Sequence, residues 1–382
     1  MPARNRNKLI ELEFSRKISP SWSRQHKIRL FLPKTYENII EGEVLASFLT
    51  DNGKLPAIVK SDKGILFNFD LRECINKSLY HRMSRPRPLF TYLPVHPHNV
   101  PARCRQFVKG LYKNFSGKKP LPTWNYVDIL RWFMKDETAS KQLWPGRRKY
   151  AVILSHDVDS GWIFRNSNFK KFSGIEEKYG FRSSWHIVTG KYTLDMGILE
   201  HLESAGHEIA FHGYKHDSKL AFIKKKEIEK RFLKSLWFLK RFKVRGVRTP
   251  RLSKTKKFYN VSERFFSYDS SFTTVSCYTV FPFFIGNLCE LPITLPVDTE
   301  FLGNKDKDSI LSALTERWEY IRKVGGLVSF STHPEPHLAG NKFWLEIYDR
   351  FLKKVSEDPL AWKTTPKDVD GWYRKKYCPI RA

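Results

Sequence analysis

The sequence predicts an α/β fold built on a parallel sheet, open or closed into a barrel, over residues 146–382, with an accessory region containing some β structure over residues 1–145. Three observations predict it. Short apolar runs alternate with amphipathic helical stretches from Ala151 onward, which is the pattern of βα units. The residues that end those runs are unusually polar, as expected where a parallel sheet carries its chemistry. The texture also changes near residue 145, where a Pro-rich and basic stretch from Ser84 to Pro122 gives way to the regular alternation.

In chain order, KIRLFLP, LPAIVK and GILFNFDL are apolar runs bounded by turn residues and read as small strands, and Tyr126 to Lys135 reads as an amphipathic helix. Ala151 to Leu154 begins the alternation, followed by a helix through Lys170 to Lys178 that stops at Gly180. Then come the strand SSWHIV, a helix over LDMGILEHLESAG, the strand HEIAFH and one long basic helix from Leu220 to Phe242. VRGVRT, SYDSSF, CELPITL and GLVSFS read as further strands, with helices over Lys254 to Phe265 and Ser309 to Val324.

Composition narrows the class. With 382 residues, the chain is long enough for about two domains and a full apolar core. A 41% hydrophobic and 15% aromatic content excludes a disordered chain. Five cysteines at wide spacing, Cys74, Cys104, Cys277, Cys289 and Cys378, match neither a disulfide framework nor a metal knuckle and suit a reducing compartment. Glu11 and Glu13 interrupt the first apolar stretch, so no secretory leader is expected. Tyr278 to Cys289, the most apolar segment, is 12 residues long and contains Pro282, short of the ~18 a membrane span needs. A cytoplasmic setting is expected. The net charge of +29 invites a nucleic-acid reading, yet it is spread over the chain, with 29 basic and 12 acidic residues in 1–150 and 39 and 27 in 151–382. No specific nucleic-acid partner is expected.

The polar strand ends are Ser155-His156-Asp157-Val158-Asp159, His212-Gly213-Tyr214-Lys215-His216, Arg248-Thr249-Pro250, Tyr268-Asp269-Ser270-Ser271 and Thr332-His333-Pro334. Side chains alternate along a strand, so Asp157 and Asp159 face one spot while His156 faces the other side. Two carboxylates held together repel unless a cation or an Arg offsets them. His212 and His216, four apart, bring two imidazoles to one side of a turn, and a carboxylate with two His is a common ligand set for catalytic Zn²⁺ or Fe²⁺. His186 reads as core, and His96 and His98 as exposed loop residues. His337 is a candidate for the cleft wall, and the aromatic stretch Tyr278 to Phe284 reads as either core or a sugar-stacking surface.

In this order, SHDVD, HGYKH, RTP, YDSS and THP resemble the strand-end motifs of polysaccharide deacetylases with a NodB homology domain, carbohydrate esterase family 4, in an atypical DxD branch. The resemblance spans Trp144 to Tyr373. It implies a distorted (β/α) barrel and a metal-dependent carbohydrate N-deacetylase, a hydrolase of non-peptide C–N bonds; the expected cytoplasmic setting and the basic charge suggest a role in cell-surface polysaccharide biosynthesis. It further implies that Asp157 is the general base, that Asp159, His212 and His216 bind one divalent metal with Zn²⁺ expected, that Arg248 keeps Asp157 ionised, and that His333 is the general acid. The backbone N–H of Arg251 would join an oxyanion hole, with Asp269 and Tyr214 as further substrate or oxyanion candidates, although Asp269 reads equally as a turn cap. The chain has DxD where many members have adjacent aspartates, and Arg251 where an aromatic is usual. A carbohydrate substrate carrying negative charge, nucleotide- or lipid-linked, fits the basic composition, as does peripheral contact with a membrane surface. Hydrolysis of a sugar formamide or a cyclic amide on the same fold is the alternative enzyme reading, and a non-catalytic binder of acidic polymers or nucleic acid the alternative outside enzymes.

Overall fold

The computed structural model describes residues 8–15, 26–35, 41–81, 83, 122–133 and 143–377. His96, His98, Cys104, Cys378 and most of the Pro-rich stretch lie outside them. Two compact units form, one from residues 1–140 with 275–279, the other from 141–274 with 280–382.

The first unit holds a five-stranded antiparallel sheet of β1 (Leu9–Phe14), β2 (Lys27–Phe31), β3 (Glu43–Thr50), β4 (Gly53–Ser61) and β5 (Gly64–Phe67), in the order β2-β1-β3-β4-β5. The expected small strands are β2, β4 and β5, and β1 and β3 are added to them. The reason β1 forms lies in the glutamates that break its apolar run. Leu12 and Phe14 turn into the core while Glu13 faces Lys27 and Lys54 on the other side, a period-2 pattern. The helix Tyr126–Phe133 buries Tyr126, Ile129 and Phe133 on this core, and Tyr278 joins it edge-on to Phe31. The Tyr278 ring is therefore core.

In the second unit, β6 (Tyr150–Val158), β7 (Ser183–Ile187), β8 (Glu208–Phe211), β9 (Gly246–Val247), β10 (Tyr268–Asp269), β12 (Leu288–Glu290) and β13 (Leu327–Thr332) pair in parallel in the order β12-β10-β9-β8-β7-β6-β13. β11 (Phe283–Ile285) is antiparallel to β12 at the edge, and β14 (Ala361–Lys363) pairs with the start of β6. The amides of Thr294 and Leu295, just past β12, both donate to Ser329 O of β13, so the sheet curls back toward its first edge. This is the expected distorted barrel. No helix among the described residues is long and apolar enough to cross a membrane.

Two local features differ from the sequence reading. The expected helix from Leu220 to Phe242 is two, Lys225–Lys234 and Leu236–Arg241. At the break, Ser235 Oγ bonds Arg231 O one turn back at 3.2 Å and Thr189 Oγ1 at 2.6 Å, a side-chain competition that bends helices. β9 and β10 are only two residues long, and Tyr268 lies flat over Gly246. A Cβ at Gly246 would sit 1.9 Å from the Tyr268 ring, which is fully buried and donates to Glu208 at 2.8 Å.

Gly246→Ala should therefore destabilise the second unit by ~1–3 kcal/mol through overpacking, read as a lowered thermal midpoint. An unchanged midpoint would show that the Tyr268 ring is free to move.

Candidate metal and acid-base site

The site stands where β6, β8, β9 and β13 end. Alternation along β6 turns Ser155, Asp157 and Asp159 to one face, and the opposite face carries His156, whose Nε2 meets Glu176 at 2.6 Å and whose Nδ1 meets Thr332 at 2.9 Å. His156 thus works behind the sheet. The end of β6 is pinned by Tyr192, which donates to Val158 O at 2.6 Å, and by Lys191, which donates to Asp159 O at 2.8 Å.

Arg248, 1% exposed, is central. Its Nη1 donates to Asp157 Oδ1 at 2.7 Å and Ser331 Oγ at 2.9 Å, its Nη2 to Ser155 Oγ at 3.0 Å and Ser270 Oγ at 2.9 Å, and its Nε to Ser270 O at 2.8 Å. All five guanidinium N–H groups are satisfied, as burial of that cation demands. Burial would raise the Asp157 carboxyl, but the Arg248 charge, with His212, His186 and His333 behind it, holds it well below the usual carboxylate range. Asp157 is therefore an anion at any ordinary pH.

His212 follows β8 and its Nδ1 lies 2.9 Å from Arg248 O. A carbonyl only accepts, so Nδ1 carries the proton and Nε2 presents a lone pair, the tautomer a ligand needs. Gly213, at φ 94°, permits the bend that returns His216 beside His212. The two Nε2 atoms stand 3.3 and 3.0 Å from Asp159 Oδ1, which is buried and makes no well-formed hydrogen bond. Ligand atoms ~2.1 Å from a tetrahedral ion are ~3.4 Å apart, so the spacing and the unsatisfied oxygen both fit a divalent cation. Asp159, His212 and His216 form the group able to hold one, with all ligand atoms within 4.8 Å of one another. Burial would raise Asp159, yet the two imidazoles hold it well below its usual range.

His333, after β13, donates to both oxygens of Asp298, from Nδ1 to Oδ1 at 2.8 Å and from its backbone N–H to Oδ2 at 2.9 Å. Burial opposes its charge, but Asp298 and the nearby Asp159 and Asp157 raise it to about 10, so these carboxylates favour its protonated form.

The other candidates are placed differently. Asp269 is fully buried, accepting from Tyr259 OH at 2.8 Å and from Ser271 N and Oγ at 3.1 and 2.8 Å, so it organises the turn after β10 and cannot touch a substrate. Tyr214 packs on Gly190, where a Cβ would lie 2.4 Å from its ring, with Lys234 5.3 Å above. Arg251 and Leu252 both have left-handed backbones, φ 59° and 51°, in the turn after Arg248. His337 is exposed, and Phe283 is buried against Phe272, ring centroids 5.6 Å apart. His186 is buried in the barrel, kept neutral by burial and the Arg248 charge. Asp298 and Glu335 are not legible: Asp298 opens a four-residue 3₁₀ turn, Asp298–Phe301, and Glu335 lies in the loop after β13, neither long enough to show a period. The serines around Arg248 could have been found, since Ser155 and Ser331 share a face with Asp157 and His333 by alternation.

Residues 147–265 match the polysaccharide deacetylase family model, a span that carries Asp157, Asp159, His212, His216 and Arg248 but ends before His333. No curated protein matches the sequence. Among solved structures, the chain is similar to a PuuE allantoinase at 14% identity and TM-score 0.54, over 61% of this chain and 93% of that one. It is also similar to a "probable Polysaccharide deacetylase" from Pseudomonas aeruginosa PAO1 at 13% identity and TM-score 0.50, over 61% and 94%. At these identities the likeness is one of fold, and it bears out the distorted barrel. The family match bears out the family resemblance over the motifs SHDVD, HGYKH and RTP.

Chelator-treated protein should take up one divalent ion per chain, and His216→Ala should weaken that uptake tenfold or more, read by competition with an indicator dye. Equal affinity in the variant would remove His216 from the ligand set.

Proposed function

We propose that the chain is a metal-dependent hydrolase that removes an N-acetyl group from a sugar or glycan. One observation carries the reading: a carboxylate locked in its ionised form by Arg248 stands beside an Asp-His-His group spaced for a cation, with a protonated His333 facing both. These are the base, the ligand set and the acid of amide hydrolysis without a covalent intermediate.

Asp159, His212 and His216 would hold the ion, with Zn²⁺ expected. Once bound, such an ion supplies Lewis acidity toward the acetyl carbonyl. Asp157 spends Oδ1 on Arg248, while Oδ2 stands 4.0 Å from His212 Nε2 on the ligand side, so Oδ2 is the oxygen that takes the proton of the attacking water. A carboxylate with a depressed pKa is a weak base, and its value here is that it is never protonated before the reaction. His333, oriented by Asp298, donates its proton to the departing sugar nitrogen, which would otherwise leave as an unstable amide anion. The Arg251 N–H is the proposed oxyanion donor, and the two left-handed residues there, ~1–3 kcal/mol each, are strain held at a functional turn.

We further propose an anionic, nucleotide- or lipid-linked sugar as substrate, a role in cell-surface polysaccharide synthesis and a cytoplasmic setting. The +29 charge supports the first by drawing anions to the cleft, and the widely spaced cysteines support the last.

A panel of N-acetyl sugars, N-formyl sugars and cyclic amides tests the substrate class; turnover of cyclic amides only would replace it. Asp157→Asn should lower kcat by ~10²–10⁴-fold and leave ion uptake intact. Retained activity would remove Asp157 as base. Asp298 is among the groups that raise His333, so without its charge the imidazolium loses its proton at lower pH. Asp298→Asn should accordingly move the alkaline limb of kcat/KM to lower pH, and an unmoved limb would mean that another group is the acid.

A further inference from the structure

The residue that best repays attention outside this machinery is Glu335, two positions after His333 and 1% exposed. Its Oε1 accepts from the backbone N–H of Ser160 at 3.0 Å and from Ser160 Oγ at 3.3 Å. Ser160 directly follows Asp159. The carbonyls of Val158 and Asp159 are held as well, the first by Tyr192 and the second by Lys191. Glu335 therefore fixes the N–H of the peptide that follows Asp159, and it does so from the loop that carries the acid.

That loop is rigid enough to act as an anchor. Leu338 N and Gly340 N both donate to Glu335 O, at 2.9 and 3.0 Å, and Ala339 N donates to His333 O at 3.0 Å. Asn168, at the start of the helix Asn168–Lys178, donates through Nδ2 to Pro334 O at 2.9 Å and Gly340 O at 3.3 Å. The turn closes so tightly that a Cβ on Gly340 would lie 2.0 Å from Pro334 O. A residue serving only to fill space would not be a carboxyl here. Glu335 Oε2 is buried without a hydrogen-bond partner, an arrangement unfavourable in itself, which points to the bonds made by Oε1 as the reason for a carboxyl at this position.

We infer that Glu335 is a positioning residue that ties the Asp159 loop to the His333 loop, so that the ion ligand and the proton donor keep one fixed separation; this rests on the hydrolytic reading of the site. Glu335 reaches the reaction through Ser160, so its loss shows first as a misplaced Asp159.

The test compares Glu335→Ala, which removes the clamp, with Glu335→Gln, whose amide oxygen can accept the same two bonds. Zn²⁺ affinity is read by competition, and amide hydrogen exchange of residues 158–162 is read in ion-free protein. In Glu335→Ala, affinity should fall 10–100-fold and exchange at 159–161 should quicken, with the rest of the second unit unchanged. Glu335→Gln should stay within about threefold of the parent on both. Parent-like affinity in Glu335→Ala, or equal losses in both variants, overturns the inference. Should Glu335→Ala fail to fold, Ser160→Ala removes only the 3.3 Å bond and should cost a few-fold in affinity; no loss there overturns it. If the parent takes up no ion, the hydrolytic reading fails, while the exchange contrast between the two Glu335 variants still decides the clamp.

Discussion

The burial of one guanidinium inside the barrel is the constraint on which the rest depends. A guanidinium taken out of water needs an acceptor for every N–H and an anion for its charge. The chain meets this by lining the interior with Ser155, Ser270 and Ser331, small enough to admit the side chain and polar enough to bond it, and by setting Asp157 at 2.7 Å. Such a pair adds little net stability, because desolvating two charges consumes most of the attraction. Breaking it by removing one partner would strand the other, at a cost of ~3–5 kcal/mol. What the pair secures is a carboxylate that remains ionised in a dry site. The same residue also fixes the neighbouring imidazole, since Arg248 O sets the tautomer of His212. The proposed base, Asp157, and the proposed ligand, His212, are thus organised by one residue, through its side chain and its main chain.

Strand β6 extends this logic to both of its faces, all nine of its residues being buried. Toward the interior it carries Ser155 and Asp157; behind, His156 meets a second fully buried anion, Glu176, which also accepts from Tyr348 OH at 2.6 Å and Ser183 Oγ at 2.7 Å. His156 continues to Thr332, next to His333. The neighbouring strands β6 and β13 are consequently cross-bonded behind the site by polar side chains in addition to their backbone ladder. Glu335 repeats the arrangement above the sheet, where the strands have ended and the ladder no longer holds them.

Much of this was legible in the sequence. The βα alternation gave the parallel sheet because period and length are local properties, and the period-2 rule separated Asp157 and Asp159 from His156. The glutamates that interrupt the first apolar run were read as ruling out a leader, and the same alternation makes them the outer face of β1, a strand the apolar-run criterion passed over. The long basic helix was overestimated, since nothing in its hydrophobic pattern reveals that Ser235 Oγ will find both Thr189 and the backbone a turn earlier. Asp269 shows the limit from the other side. Its place in a polar strand-end motif leaves it equally able to orient a catalytic group or to cap a turn, and its complete burial under Tyr259 and Ser271 makes it a brace for the turn.

By itself, then, the sequence determined which residue types end each strand and which of them share a face, because side-chain alternation follows from the backbone of any extended chain. Which groups meet across the sheet follows from the tertiary structure, and for Asp157 and Arg248 only the family resemblance anticipated it. Asp298 and His333 are 35 positions apart, Ser160 and Glu335 are 175 apart, and Asp157 and Arg248 are 91 apart. The second pair meets because β6 and β13 are neighbours, the other two because the sheet curls, and no local period encodes either. The residues that bear the chemistry were therefore readable one strand at a time, whereas those that hold them in place came from loops whose partners the fold alone selects.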